Sequence, residues 1–199
     1  MKTKYSLLIL FFIGLLLSGI HPKEYFIWFL EVLPAIIGLF VLMFTYKKFQ
    51  FTHFTYIFIL IHCYILFLGG HYTYAEVPLF DWLKEVFNLS RNNYDKVGHF
   101  AQGFVPAIII RELFIRKNVV SNKRFFNFII VSICLAISAA YEWIEWWVSL
   151  TTGEGGDAFL GTQGDIWDTQ SDMLLATIGA TCMLLFLSKK HDKAIQNLQ

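Results

Sequence analysis

The sequence predicts an all-α protein: a polytopic membrane helix bundle of about six transmembrane helices plus an interfacial helix, in a single integral membrane domain over 1–199. Two observations predict it. Of 199 residues, 56% are hydrophobic and 18% aromatic, and mean hydropathy is +0.54, a richer apolar content than soluble domains carry. The apolar residues also gather into six stretches, over roughly 5–20, 25–46, 52–70, 98–116, 125–149 and 170–188. Each approaches the ~20 residues that a helix needs to cross ~30 Å of hydrocarbon. A net charge of +1, with no basic stripe interleaved with aromatics, implies no nucleic-acid partner.

The first stretch is short and follows Lys2 and Lys4, as the apolar region of a secretory signal would. A cleavage site wants small residues at two spaced positions, and Leu17-Ser18-Gly19-Ile20 supplies them poorly. It is therefore expected to persist as the first helix. The second, third, fifth and sixth stretches are plainly apolar, whereas Pro106 and Arg111 interrupt the fourth. Between the third and fourth, Val77 to Leu83 is too polar to span and too apolar for a solvated loop. An interfacial helix over 78–88 is expected there, with Trp82 and Phe87 dipping toward the headgroups. Cys63, Cys134 and Cys182 all fall inside predicted spans, where they serve as small apolar packers. The chain contains no internal repeat of the kind many transporters are built from.

Charge orients the helices. Lys2, Lys4, Lys47, Lys48, Arg116, Lys117, Lys123, Arg124, Lys189, Lys190 and Lys193 gather on one side of a six-helix arrangement. Only Lys23, Lys84, Arg91 and Lys96 fall on the other, and Arg111 lies inside the fourth span, within snorkelling reach of the richer side. The positive-inside rule then predicts that both termini are cytoplasmic and that the loops 71–97 and 150–169 face outward.

That outward end collects the residues that hydrocarbon tolerates least. Asp95 and His99 are four apart at the start of the fourth span and share a helical face. Asp95 suits an N-cap, where a carboxylate meets unpaired N–H groups; the pair equally suits metal ligation or a general base oriented by a carboxylate. Glu142 and Glu145, three apart within Tyr141-Glu142-Trp143-Ile144-Glu145-Trp146-Trp147, lie in the outer third of the fifth span. A carboxylate set in an aromatic belt would explain Glu145, but Glu142 is about 12 Å deep and needs a partner, a proton or an ion. The segment Gly153 to Asp172 adds Asp157, Asp165, Asp168 and Asp172, and if the sixth helix starts near Asp165 the last three form one acidic face. This segment has no Lys or Arg, so its charge is expected to be met by metal, proton, solvent or His99.

Carboxylates with an imidazole suit Mg²⁺, Mn²⁺, Zn²⁺ or iron, and such a site can activate water for hydrolysis. Asp95, His99, Glu142, Glu145, Asp168 and Asp172 are the expected metal ligands, and the first four are also the expected acid/base groups. Asp157, Gln163 and Asp165 are the expected substrate contacts; His62 or His71 could supply a second imidazole, although an interhelical hydrogen bond is the expected role of each. The same carboxylates, protonated in part, could serve a proton- or cation-coupled transporter, and a non-catalytic scaffold could use them only to lock its helices. For transport, the inner helix halves offer only Arg111-Glu112, which reads as an ordinary surface feature. No P-loop, zincin or nucleophile-elbow motif is present.

Three blocks carry a family resemblance. Tyr94-Asp95-Lys96-Val97-Gly98-His99-Phe100-Ala101-Gln102-Gly103-Phe104-Val105-Pro106-Ala107, the run Tyr141 to Trp147, and Asp157 to Met173 together resemble the YjdF-like bacterial inner-membrane proteins. The resemblance covers most of the chain. It implies a multi-helix bundle in the bacterial cytoplasmic membrane and implies no activity. The Asp95-Lys96…His99-Phe100 motif is also similar to the VanZ-like proteins, over that short motif alone. The leading functional expectation is a metal-dependent hydrolase whose partners are membrane lipids and a lipid or lipid-linked substrate, because the site opens at headgroup depth.

Overall fold

The computed structural model describes residues 2–152 and 162–198, and the side chains of 2, 3 and 123 lie outside the description. It is an all-α bundle, with no strand among the described residues. Helix α1 spans Lys2–Ser18, α2 Tyr25–Thr45, α3 His53–His71, α4 Pro78–Phe87, α5 Tyr94–Lys117 and α6 Lys123–Thr152. Helix α7, Asp168–Cys182, runs through a π-helical turn at Met183–Leu187 into α8, Ser188–Gln196. Four of these rods are long and apolar enough to cross a membrane: Tyr25–Thr45, His53–His71, Arg124–Thr152 and the continuous Asp168–Gln196. At 24 residues, or about 36 Å, α5 has the length as well, and its central position accounts for the charges it carries.

Local chemistry sets the helix ends. Thr52 caps α3, its hydroxyl accepting from the Thr55 amide at 3.2 Å. Pro78 opens α4, where the missing N–H costs nothing. Asn88 and Asn118 close α4 and α5 in the left-handed conformation that asparagine adopts readily. Trp82 and Phe87 of α4 are exposed, as an interfacial helix requires.

Helix α5 is the hub, packing against α3, α6 and, most extensively, α7. Small residues permit that closeness. A Cβ on Gly103 would lie 1.7 Å from the Ala176 carbonyl oxygen, and one on Gly179 would lie 2.1 Å from the Phe100 carbonyl oxygen. Helices α5 and α7 run parallel, since Asp95 faces the start of α7 and Arg111 faces α8. Both therefore deliver their first turns to one end of the bundle. Midway, Ala107, Ile108, Ile130, Cys134, Ala180 and Met183 form a fully buried apolar layer. Helices α1 and α2 each pack on α3, around Phe11, Val32, Ala35, Cys63 and Phe67.

At the opposite end the structure corrects two sequence expectations. Glu112 is not a surface residue: it is fully buried, as is His191 of α8. Its carboxylate accepts from the Thr52 amide and hydroxyl at 2.8 Å each, from the Thr55 hydroxyl at 2.5 Å and from Arg116 at 2.8 Å. His191 Nε2 lies 3.3 Å from the same carboxylate. Arg111 does not snorkel outward either; it is buried and pairs with Asp192 at 2.7 Å. Burying these groups together lets them satisfy one another, Arg111 Nε excepted, and the network ties α3, α5 and α8 into one unit.

Candidate functional site

The first turns of α5 and α7, the last third of α6 and the link before α5 meet at one end of the bundle. Asp95, His99, Glu142, Glu145, Asp168 and Asp172 are all buried there. Helical spacing explains the convergence. Asp95 and His99 share a face of α5, and Asp168 and Asp172 a face of α7, while the close α5–α7 contact brings the two faces together.

The charge balance differs from the sequence expectation. Arg91 and Lys96 meet much of the negative charge that the 153–172 segment cannot neutralise itself. Arg91 is buried; it donates to Asp95 Oδ2 at 2.6 Å and to the Thr162 carbonyl at 3.1 Å, and it forms a close ion pair with Asp168. Lys96 Nζ reaches Asp168 Oδ1 at 2.7 Å, Ser171 Oγ at 2.7 Å and Asp172 Oδ1 at 2.8 Å. Both cations come from distant sequence, so the composition of one loop could not reveal them. Glu31 of α2, buried and within electrostatic range of Asp95 and His99, is a further member that sequence reading missed. Its only signal was an acidic residue inside the most apolar span.

Asp95 and Asp172, already paired with Arg91 and Lys96, also face His99, together with Glu142. His99 Nε2 lies 3.2 Å from Asp95 Oδ1 and 3.6 Å from Asp172 Oδ2, and its Nδ1 lies 3.8 Å from Glu142 Oε1. Nδ1 donates to Gln102 Oε1 at 3.1 Å, because that oxygen can only accept. Glu142 Oε1 is buried with no hydrogen-bond partner among the described residues, and so is Ser138 Oγ. Donor atoms of Asp95, His99 and Asp172 all lie within 4.8 Å of one another. Six buried carboxyl groups (Glu31, Asp95, Glu142, Glu145, Asp168 and Asp172) thus face two permanent cations and one imidazole. The excess requires protons or a bound cation.

The other expected residues have more local roles. Asp165 does not begin the last helix, which starts at Asp168. It lies in the preceding turn, where its Oδ1 accepts from the Trp167 amide at 2.9 Å and Oδ2 lies 3.7 Å from Arg91. Gln163, at φ 47°, pairs both ends of its amide with the Asn92 backbone at 3.0 Å. Asp157 lies outside the described residues. Glu145 turns inward while Trp143, Trp146 and Trp147 are exposed, so the aromatic belt does not account for it. His62 lines an apolar groove between other helices. His71 Nδ1 lies 2.9 Å from the Ser18 carbonyl, and neither histidine is among the residues grouped around His99.

Tyr74 closes the site from the α3–α4 link. Its ring occupies the space where side chains on Gly69 and Gly98 would stand, 2.1 Å and 2.9 Å from their Cβ positions. Burial pushes the Tyr74 hydroxyl well above its ordinary titration range, with Glu31 adding to the shift, so it acts only as a neutral donor or acceptor.

Known proteins place the chain. Residues 3–193 match the family model described as "Predicted membrane protein (DUF2238)". Over 182 residues the chain is 44% identical to the inner membrane protein YjdF of Escherichia coli (strain K12), covering 92% of this chain and 87% of that protein. These matches lend no support to the VanZ-like likeness, and no solved structure matches the chain. A relative in the inner membrane, together with four membrane-length helices, identifies an integral membrane protein of the inner-membrane type. The chain belongs to the DUF2238 family of predicted membrane proteins, the family of YjdF.

Proposed function

We propose that the chain binds a divalent cation at Asp95, His99 and Asp172, beside Glu142, and uses it to hydrolyse a lipid or lipid-linked headgroup. One observation carries this reading: Nε2 of His99 and oxygens of Asp95 and Asp172 converge on one buried point. Only a proton or a cation relieves that convergence. Gln102 fixes the imidazole so that Nε2 is the ligand atom, as partners of metal-binding histidines commonly do. The oxygen and imidazole set suits Mg²⁺, Mn²⁺, Zn²⁺ or Fe²⁺. Such an ion would supply Lewis acidity and an activated water at neutral pH.

The chain's own residues divide the remaining work. Glu142, whose buried Oε1 accepts no hydrogen bond among the described residues and lies 3.8 Å from His99 Nδ1, would be placed to accept a proton from such a water. Arg91 and Lys96 hold Asp95, Asp168 and Asp172 in place. Asp165 and Gln163 belong to the turn before α7, which a headgroup would meet first, and Asp157 is proposed as a further substrate contact from the sequence alone. The position of the first turns of α5 and α7 at the ends of spanning helices supports a site at headgroup depth, and the Lys/Arg distribution favours the extracytoplasmic end, with both termini cytoplasmic.

A transporter is the weaker reading. Glu112 and His191 do supply a polar group at the other end, yet Ala107, Ile108, Cys134, Ala180 and Met183 close the space between the two networks with fully buried apolar side chains. A structural lock is the stronger alternative, favoured by the extensive pairing of Arg91 and Lys96.

The test is the metal content of detergent-purified protein after reconstitution with each of the four ions, for wild type, His99→Ala and Asp172→Asn. A stoichiometric ion lost in both variants at unchanged thermal stability supports the site, and release of headgroup from lipid substrates by the loaded wild type then tests the reaction. Absence of any ion in wild type leaves the structural lock.

A further inference from the structure

The second feature of the molecule lies away from the acidic end and is independent of the reading above. Helices α1 and α2 both pack on α3 but scarcely on one another. The gap between them, floored by α3 and α5, is a groove of about 510 Å³, within the range of pockets that take a small ligand. Along α2 it runs from Pro34 to Tyr46, about 18 Å at helical rise, a length suited to an extended acyl chain. Its walls are mainly aliphatic, and apolar cavities of this kind do not hold water.

The mouth is different. Lys4 Nζ stands 5.1 Å over the Tyr46 ring and 5.5 Å over the Tyr56 ring, and donates to Gln50 Oε1 at 2.7 Å. No carboxylate pairs with it among the described residues. Lys47 and Lys48 are exposed on the turn that follows α2, and no acidic residue lies between Glu31 and Glu76. The groove is thus apolar along its length apart from His62, and cationic at the end that meets the headgroups.

We propose that this groove holds one acyl chain of an anionic phospholipid, its phosphodiester against Lys4 and its glycerol region between Tyr46 and Tyr56. The tail satisfies the apolar walls and the phosphate meets an ammonium that no carboxylate neutralises. Each lysine near a membrane surface favours an anionic lipid by roughly fivefold, so Lys4 is the residue on which headgroup preference depends.

Native mass spectrometry of the full chain released from nanodiscs of equal phosphatidylglycerol and phosphatidylethanolamine tests this. Wild type is expected to retain one phosphatidylglycerol per chain. Lys4→Gln should lower the preference for phosphatidylglycerol about fivefold. Gly38→Phe should abolish retention of either lipid, since a side chain at Gly38 enters open groove space with nothing within 4 Å of its Cβ. Helical content and melting, measured for each variant, separate lipid loss from misfolding, and Gly38→Leu replaces Gly38→Phe should the latter fail to fold. A wild type that retains no lipid overturns the proposal. So does equal retention of the two lipids, or retention unchanged in a folded Gly38 variant.

Discussion

Arg91 and Asp168 form a buried ion pair that ties the link before α5 to the first residue of α7. The same guanidinium holds Asp95 and the Thr162 carbonyl, so one side chain sets the register of the parallel α5 and α7 at the candidate site.

Arg91→Ala is therefore expected to destabilise the protein by about 3–5 kcal/mol, the usual consequence of leaving buried carboxylates without their cation. Thermal unfolding in detergent measures it. Arg91→Lys should recover little, because an ammonium cannot reproduce a planar fork that serves three acceptors.

Two glycines separate packing from propensity. Gly103→Ala places a methyl 1.7 Å from the Ala176 carbonyl oxygen, so α5 and α7 must part. A loss of about 1–3 kcal/mol or more is expected. Gly38→Ala meets nothing within 4 Å and should stabilise by about 0.4–1 kcal/mol through the unfolded chain. Melting temperatures of the two variants should move in opposite directions.

Glu112→Ala removes the acceptor shared by Thr52, Thr55, Arg116 and His191. A loss of about 2–5 kcal/mol is expected, because several buried donors lose their partner. Glu112 lies beyond the apolar layer from His99, so a folded Glu112→Gln protein should bind any metal as wild type does. Paired metal analysis and melting curves check both halves.

Lys23 and Glu76 form an exposed ion pair at 2.9 Å between the α1–α2 and α3–α4 links. The Glu76 carboxylate raises the Lys23 ammonium above its ordinary 10.5. A raised folded value means that any stabilisation is complete below 10.5 and fades only as pH rises past it. Whatever the pair contributes is thus constant from pH 6 to 9, and Lys23→Gln should melt close to wild type, by the same small margin throughout that range, since exposed pairs contribute little.

Legibility followed the range of the interactions. The helices were readable because a membrane span is a local property: about 20 apolar residues suffice whatever they contact. The observed α2, α3 and α4 fall within a few residues of the stretches expected from hydropathy alone. Asp95 with His99, and Glu142 with Glu145, were readable as pairs because helical spacing of three and four is also local. Arg91, Lys96 and Glu31 were not recognised as their partners, since nothing in a stretch of sequence says which distant side chain neutralises it. Glu112 was misread for the same reason: the Thr52 cap and His191, which bury and satisfy it, come from two other helices.

The sequence by itself thus determined the class of the protein, the extents of most of its helices and the end of the bundle where its acidic residues gather, through hydrophobic length and helical period. The tertiary structure decided that Asp168 pairs with Arg91 and Lys96, that Asp95 and Asp172 are shared between those cations and His99, and that Glu142 faces His99. That assignment depends on how closely two helices approach, and the approach is set by Gly103 against Ala176 and Gly179 against Phe100.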